Sequence, residues 1–272
     1  MADLLSVGLS GLMSNQTALD VTSQNISNAG TPGYNEQTAL FVTTPAEQSG
    51  NGWIGTGVDV QTITRAYNDL LTQQVRSTST NVAQLTALSG LATQVSSMFG
   101  NSTTGISASL SNLSSALQNV STQPTSTAAR SALLSQAQTF VNQLQSFSTQ
   151  LSQNSSVTNQ QVGTEVTAVN TLAQGIASLN NQISYQQAAS GQPPNDLLDK
   201  RDQLLSQLAT HVSITTSSQD NGTVNVVIGN GQSLVVGGQA TTLKASPDPV
   251  DASQQIITAQ TPSVPPAMLA GS

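Results

Sequence analysis

The stretch NISNAGTPGY, residues 25–34, ends one kind of structure and begins another. Ile26 is the last apolar residue of a periodic run, Gly30 offers the left-handed conformation that closes a helix, and Pro32 cannot continue one. Thr31 is held extended by the proline behind it, and Pro32-Gly33 suits the central pair of a type II turn. The chain is therefore predicted to turn sharply out of a helix here.

Upstream, Leu5, Leu12, Leu19 and Ile26 recur every seven positions and Leu9 fills one intervening site, while Gln16 and Ser23 leave the seam polar. That is one thin apolar stripe on a helix over 3–28, about 40 Å long. Alone in water such a helix is marginal. It needs a mate, which makes Leu5, Leu9, Leu12, Leu19 and Ile26 candidate subunit-packing residues.

Downstream, TALFVTT and VDVQTIT flank the glycine-rich GNGWIGTG, a pattern that predicts a small β element over 34–64. Helical periodicity returns near Tyr67 with Leu71, Val75, Val82, Leu85, Leu88, Val95 and Phe99. GNSTTG breaks it, and a short helix runs to Pro124. Between Ser126 and Ala189 there is no proline. A weaker patch at 154–163 leaves two outcomes open, an interruption there or a continuous helix of roughly 95 Å. In QPPNDLLDKRDQLLSQLA the prolines end what precedes, Asn195 is the expected cap, and Asp196 and Asp199 suit the positive end of the helix. After His211 the period becomes two, with Asn221-Gly222 and Asn230-Gly231 as hairpin signals. The predicted fold is mainly α with a smaller β part: long antiparallel helices in a coiled-coil bundle, a small β element near 34–64, and a truncated β domain after about 212. The expected divisions are 1–33, 34–64, 65–211 and 212–272, with a tail that is disordered and no closing helix.

Composition narrows the function. Ser, Thr, Asn and Gln make up about 45% of the 272 residues, and only 7% are charged. The net charge is −7 and the six cations (Arg65, Arg76, Arg130, Lys200, Arg201, Lys244) are scattered, so no basic stripe exists to meet nucleic acid. With no cysteine there is neither a disulfide nor a thiolate metal site. No run of about 20 apolar residues predicts membrane insertion, and the first residues do not read as a Sec-type signal peptide.

Three constellations invite chemistry and each has a plainer account. GNGWIG has the spacing of a dinucleotide-binding fingerprint, but it leads into a strand rather than a helix, so a turn is expected. His211 is the single histidine and reads as a helix-end residue, where its charge suits the carbonyl terminus. Asp196, Asp199 and Asp202 share one helical face, but Lys200 and Arg201 sit among them, which suits a capped, salt-bridged first turn. Residues 77–195 hold only Arg130 and Glu165 as charged side chains, too few for a glycan-cleaving carboxylate pair. No catalytic, metal or cofactor-binding residue is expected.

NISNAGTPGY behind the opening helix resembles the amino-terminal signature of bacterial flagellar axial proteins of the rod, hook and hook-associated zones, through Asn25, Asn28, Thr31, Pro32, Gly33 and Tyr34. GTGVDVQTITRAYNDLLTQQVR (55–76) resembles the stretch that follows it there. IASLNNQI (176–183) and NDLLDKRDQLLSQLA (195–209) are similar to the hook-associated protein 1 family, whose members are longer and finish in a second terminal helix. The resemblance implies a structural protein, not an enzyme, forming a ring at the hook-filament junction outside the cell and serving filament assembly and motility. Implied partners are copies of itself, hook protein, the next hook-associated protein and the flagellar type III export machinery, with no cleaved signal peptide. Pro32 and Gly33 are then expected to set the angle between a tube-lining arm and the body, so the 25–34 motif, Gly30 included, reads as an elbow. The open alternatives are another axial protein of hook or rod type and a secreted coiled-coil adhesin.

Overall fold

The computed structural model describes residues 4–50, 52–100, 105–229 and 231–260. Five helices carry most of the chain: α1 (Leu4–Asn28), α2 (Asp69–Gly100), α3 (Ile106–Thr122), α4 (Thr127–Ser190) and α5 (Asn195–His211). Between α1 and α2 lie β1 (Gln37–Thr43), β2 (Glu47–Ser49), β3 (Gly52–Ile54) and β4 (Val58–Arg65). After α5 come β5 (Ile214–Ser218), β6 (Val224–Ile228), β7 (Ser233–Val236), β8 (Gln239–Ala240), β9 (Thr242–Pro247) and β10 (Gln255–Gln260). The mainly helical fold with a smaller β part is the one the periodicity predicts. The chain divides into two compact units, Met1–Thr80 with Thr167–Leu243 and Ala259–Ser272, and Asn81–Val166 with Lys244–Thr258.

In the first unit, β1 and β4 form an antiparallel ribbon. Leu40 pairs with Thr62 and Phe41 with Val60, which leaves Gln61 as the extra residue of a bulge. The bulged carbonyl is not orphaned: Gln192 donates its side-chain amide to it at 3.1 Å, and Asn195 does the same for Ile63 at 2.8 Å. β2 and β3 pair antiparallel, with Gln48 opposite Trp53. Among the described residues the glycine-rich stretch lies between paired strands and leads into β4, not into a helix that could receive a pyrophosphate.

The core of this unit lies where the end of α4 and α5 meet the sheet β5-β6-β7-β8. Ile176 and Ile183 from α4, Leu205 and Leu208 from α5, and Val226, Leu234 and Val235 from the sheet are fully buried. Burial of each contributes about 1.5–3 kcal/mol. In β6 the alternation places Val224 and Val226 inward, as period two requires. Asparagine amides dock the helix to strand backbone. Asn180 donates to the Val224 and Gly237 carbonyls and accepts from the Val224 N–H, and Asn170 both donates to and accepts from Leu243. Each amide mimics a strand neighbour, so polar side chains perform a joining task usually given to apolar ones.

The second unit is differently built. Among its described residues Ala116 and Val166 are the buried hydrophobics, while Val82, Leu85, Leu88, Leu110, Leu134 and Leu151 are exposed. Gln94 donates to Asn154, and Asn159 to the Ser253 carbonyl. Of the two outcomes left open at 154–163, the continuous helix is the one found: the patch lies inside α4. Its Ser, Thr, Asn and Gln are only mildly poor helix formers, and no proline or cap intervenes to stop propagation. Part of the expected disordered tail is ordered, since β9 and β10 pair around a 248–254 loop; residues 261–272, like most of GNSTTG, lie outside the described residues.

At the start of α5 the cap is Pro194, not Asn195. The Pro194 carbonyl accepts from Leu197 and Leu198 N–H, which frees the Asn195 amide to reach Ile63.

Candidate assembly surface

α1 has two unlike faces. On one, Leu5, Leu9, Leu12, Leu19 and Ile26 are exposed, together with Leu4 and Met13; Leu5 keeps 76% of its surface and Leu12 70%. On the other, Ser14 and Val21 are buried. Small hydroxyl residues let this face approach β4 closely: the Val58 N–H donates to Ser10 Oγ at 3.2 Å, and Ser14 Oγ donates to the Val58 carbonyl at 3.3 Å. Gly57 permits the approach, since its φ is +128° and a Cβ there would run into the Ser10 side chain. The expectation that α1 has no mate within the chain is therefore corrected for its serine face. The ribbon occupies that face through short polar groups, which the heptad pattern could not register. Among the described residues the side chains of the apolar ridge are exposed.

The elbow residues converge as well. α1 ends at Asn28, and the Ala29 N–H to Ile26 carbonyl and Thr31 N–H to Asn28 carbonyl bonds tighten the exit. Gly30 does not adopt a positive φ, contrary to expectation, because these tight bonds already satisfy the last carbonyls. Gly33 does, at φ +83°, and the Tyr34 N–H donates to the Thr31 carbonyl across Pro32-Gly33, as in a type II turn. Asn25 ties the turn down. Its Nδ2 donates to the Gln37 carbonyl at 2.8 Å, and its Oδ1 accepts from the Gln37 N–H and from Tyr34 Oη at 2.9 and 2.7 Å. Asn28 stays on the helix surface, accepting from Thr31 Oγ1.

Beyond the turn lies a charge cluster that sequence reasoning missed. Asp199 and Asp202 on α5 are buried, and their partners are not the adjacent Lys200 and Arg201. Arg65 Nη1 lies 2.8 Å from Asp199 Oδ1 and 2.6 Å from Asp202 Oδ2, and Arg76 Nη2 lies 3.1 Å from Asp202 Oδ1. Asn35 adds two bonds to Asp199 from its backbone N–H and its amide. Tyr67 stacks under the Arg65 guanidinium at 4.2 Å and donates to Asp202. Burial, then the Asp202 carboxylate, raises the Tyr67 pKa above its usual value. Arg201 turns the other way, to Asn180 and the Gly222 carbonyl, and burial lowers its pKa while Asp202 opposes the shift. The readable signal was scarcity: in a chain with so few charges, Arg65 and Arg76 flanking one segment required acidic partners.

Among the described residues no group of three or more His, Cys, Asp or Glu is placed to hold a metal ion. A shallow groove of about 590 Å³ between β4 and the α4–α5 connection is lined by amides of Gln37, Gln61, Gln192 and Asn195, with Asp196 and Lys200. One carboxylate and one amine among amides can hydrogen-bond, but they do not form an acid–base pair of carboxylates. His211 ends α5 as expected. The distinctive feature of the first unit, among its described residues, is therefore its exposed apolar surface.

Comparison with known proteins follows the same geography. The family model "Flagella basal body rod protein" matches residues 5–35, which is α1 and the turn, and "Flagellar hook-associated protein FlgK helical domain" matches residues 92–272. Flagellar hook-associated protein 1 of Escherichia coli (strain K12) is 34% identical over 258 residues, 94% of this chain and 47% of that protein. Its counterpart in Salmonella typhimurium (strain LT2) gives the same figures. The solved flagellar hook junction protein FlgK from Burkholderia pseudomallei superposes with a TM-score of 0.63 at 31% identity, covering 70% of this chain and 33% of that one. The chain spans about half the length of the curated relatives it matches.

Proposed function

The chain belongs to the flagellar hook-associated protein 1 family, and on that premise we propose that it is a structural part of the bacterial flagellum, lying outside the cell in the ring between hook and filament. It performs no bond chemistry. Its partners are copies of itself and the neighbouring axial proteins, hook protein and the next hook-associated protein, reached after passage through the flagellar export machinery. Filament assembly and motility depend on it.

The observation that carries this reading is the exposed ridge of α1. Covering Leu5, Leu12, Leu19 and Ile26 at their observed exposures contributes roughly 4–9 kcal/mol. Association costs about 4–15 kcal/mol in lost freedom. One pairwise contact is thus marginal, and incorporation requires several neighbours at once, as at the growing end of a tube. Asn25, Asn28, Gly30, Thr31, Pro32, Gly33 and Tyr34 act as the elbow: the Asn25 clamp and the Pro32-Gly33 turn fix the angle at which α1 leaves the ribbon.

The test is incorporation in cells lacking their own hook-associated protein 1. Leu5→Ser with Leu12→Ser is expected to abolish filament attachment and swimming while the purified variant unfolds within a few degrees of the unsubstituted chain. Normal filaments on cells producing the double variant would refute the reading.

A further inference from the structure

The face that α5 turns to the ribbon is polar. Asn195, Asp199 and Asp202 follow one another at helical spacing, so they share that face, and all three are buried. A helix usually presents apolar side chains at such positions. Here the three meet the Ile63 carbonyl, Asn35 and Arg65 instead. On another face of α5, Leu205 and Leu208 are fully buried in the core of the unit. Among the described residues of 34–66 no apolar side chain is buried, and the groove beside Gln61 and Asn195 lies in this same joint. Directed polar bonds, rather than buried apolar surface, therefore hold the ribbon to α5.

Parting these surfaces exposes little apolar area and strands no charge in the interior. Arg76 on α2 donates to both the carbonyl and the carboxylate of Asp202, so that carboxylate keeps a cation when Arg65 leaves. Asp199 and Arg65 pass into water, and their solvation offsets much of the lost pairing. α2 stays behind, because Arg76 and Thr80 tie it to α5. The chain crosses from one side of the joint to the other at Tyr67. Before it, the Ala66 N–H is still bonded to the Glu36 carbonyl; after it, the Asn68 side chain accepts from the Leu71 N–H and caps α2. A residue between two fixed neighbours is where a hinge turns. The departing side is firm in itself, since Ser10 and Ser14 hold Val58 and Asn25 holds Gln37, with Ser14 and Val21 buried.

We propose that α1 and its ribbon, residues 4–66, undock from α5 as one piece, turning about Tyr67. The polar face of α5 is then a latch, and opening it redirects α1 while the elbow stays intact. The device belongs to the single chain and does not rest on the assembly reading above.

Amide hydrogen exchange of the purified chain, resolved residue by residue by NMR, tests it. The Asn35 N–H, bonded to Asp199, reports the latch. The Gln37 and Val58 N–H groups, bonded to Asn25 and Ser10, report the arm, and the Val224 N–H, bonded to Asn180, reports the core. Asn195→Ala removes one latch bond in which Asn35 has no part. If the latch opens as a unit, Asn35 exchanges about fivefold faster in this variant, the factor one neutral hydrogen bond contributes, while the other three amides change by less than about twofold. An unchanged Asn35 rate shows that the bonds act singly and overturns the proposal. Acceleration of Gln37 or Val58 together with Asn35 shows the arm coming apart, and acceleration of Val224 shows the whole unit opening; either result overturns it too. Should Asn195→Ala fail to fold, Gln192→Ala, which removes the bond to the Gln61 carbonyl, is read by the same four amides and the same criteria.

Discussion

Asn180 is fully buried in α4, and its amide makes four hydrogen bonds: two donated to Val224 and Gly237, one accepted from the Val224 N–H and one from Arg201. Asn180→Ala strips all four while leaving the helix propensity no worse. Neutral bonds are worth about 1 kcal/mol each and the charged one roughly 1.5–3, and the stranded groups are buried, so the expected loss is about 4–6 kcal/mol. Against a typical domain stability of about 5–15 kcal/mol, that is enough to open the sheet locally. Urea unfolding gives the loss, and amide hydrogen exchange at Val224 and its β6 neighbours locates it. Asn181→Ala is the control: one position along the same helix, Asn181 is exposed and makes one long bond to Gly238, so a loss under about 0.5 kcal/mol is expected. A loss below about 1.5 kcal/mol for Asn180→Ala, or one equal to the control, would refute the view that amide clamps join α4 to the sheet.

Gly33→Ala is expected to cost about 1–2 kcal/mol, because residue 33 sits at φ +83°, whereas Gly30→Ala costs at most about 0.5 kcal/mol; equal losses in thermal unfolding would contradict the turn assignment. Arg76→Met leaves Asp202 with Arg65 and Tyr67 and is expected to destabilise by about 2–4 kcal/mol; with Asp202→Asn it should show a coupling above about 1 kcal/mol, and additive effects would count against the cluster. Tyr67 has a raised pKa in the folded state, so between its unfolded value of 10.0 and the higher folded one the native chain binds more protons than the unfolded chain. Stability present below about pH 10 is therefore lost as pH rises through that window, and Tyr67→Phe should flatten this part of the melting-temperature profile. Superimposable profiles for the two proteins would exclude Tyr67 as a contributor.

What was legible in the sequence was local. Pro32 sets its own φ and Gly33 alone there tolerates a positive one, so the turn could be read from two residues. The seven-residue spacing gave α1 and its ridge for the same reason, since helical geometry maps spacing directly onto a face. Gly30 did not take the left-handed conformation because the Ala29 and Thr31 N–H groups already satisfy the last carbonyls of the helix, and Gly33 alone takes the positive φ. Pairings between distant segments left no periodic trace. Arg65 and Asp199 are 134 positions apart, and the serines that seat α1 on β4 look like ordinary surface residues until the strand is beside them. Asn180 was invisible for a related reason: in a chain so rich in asparagine, nothing marks the few whose amides are buried.

The two faces of α1 differ in kind as well as in strength. Its serine face and the Asn25 clamp offer four hydrogen bonds to the ribbon and one to Tyr34, with little apolar burial beyond Val21, a net contribution of roughly 3–5 kcal/mol. The ridge offers roughly 4–9 kcal/mol once covered, without directional demand. Hydrogen bonds fail when geometry drifts by a few tenths of an ångström, whereas apolar contacts tolerate sliding. On the proposed reading, then, the chain's own body sets the direction of the arm and its neighbours supply most of the holding energy. Substitutions on the two faces should separate accordingly. Ser14→Ala weakens the aim and should broaden the range of arm orientations while incorporated protein stays bound, and Leu12→Ser leaves the aim intact and releases the subunit. If Ser14→Ala released subunits as readily as Leu12→Ser, aim and grip would not be divided between the faces.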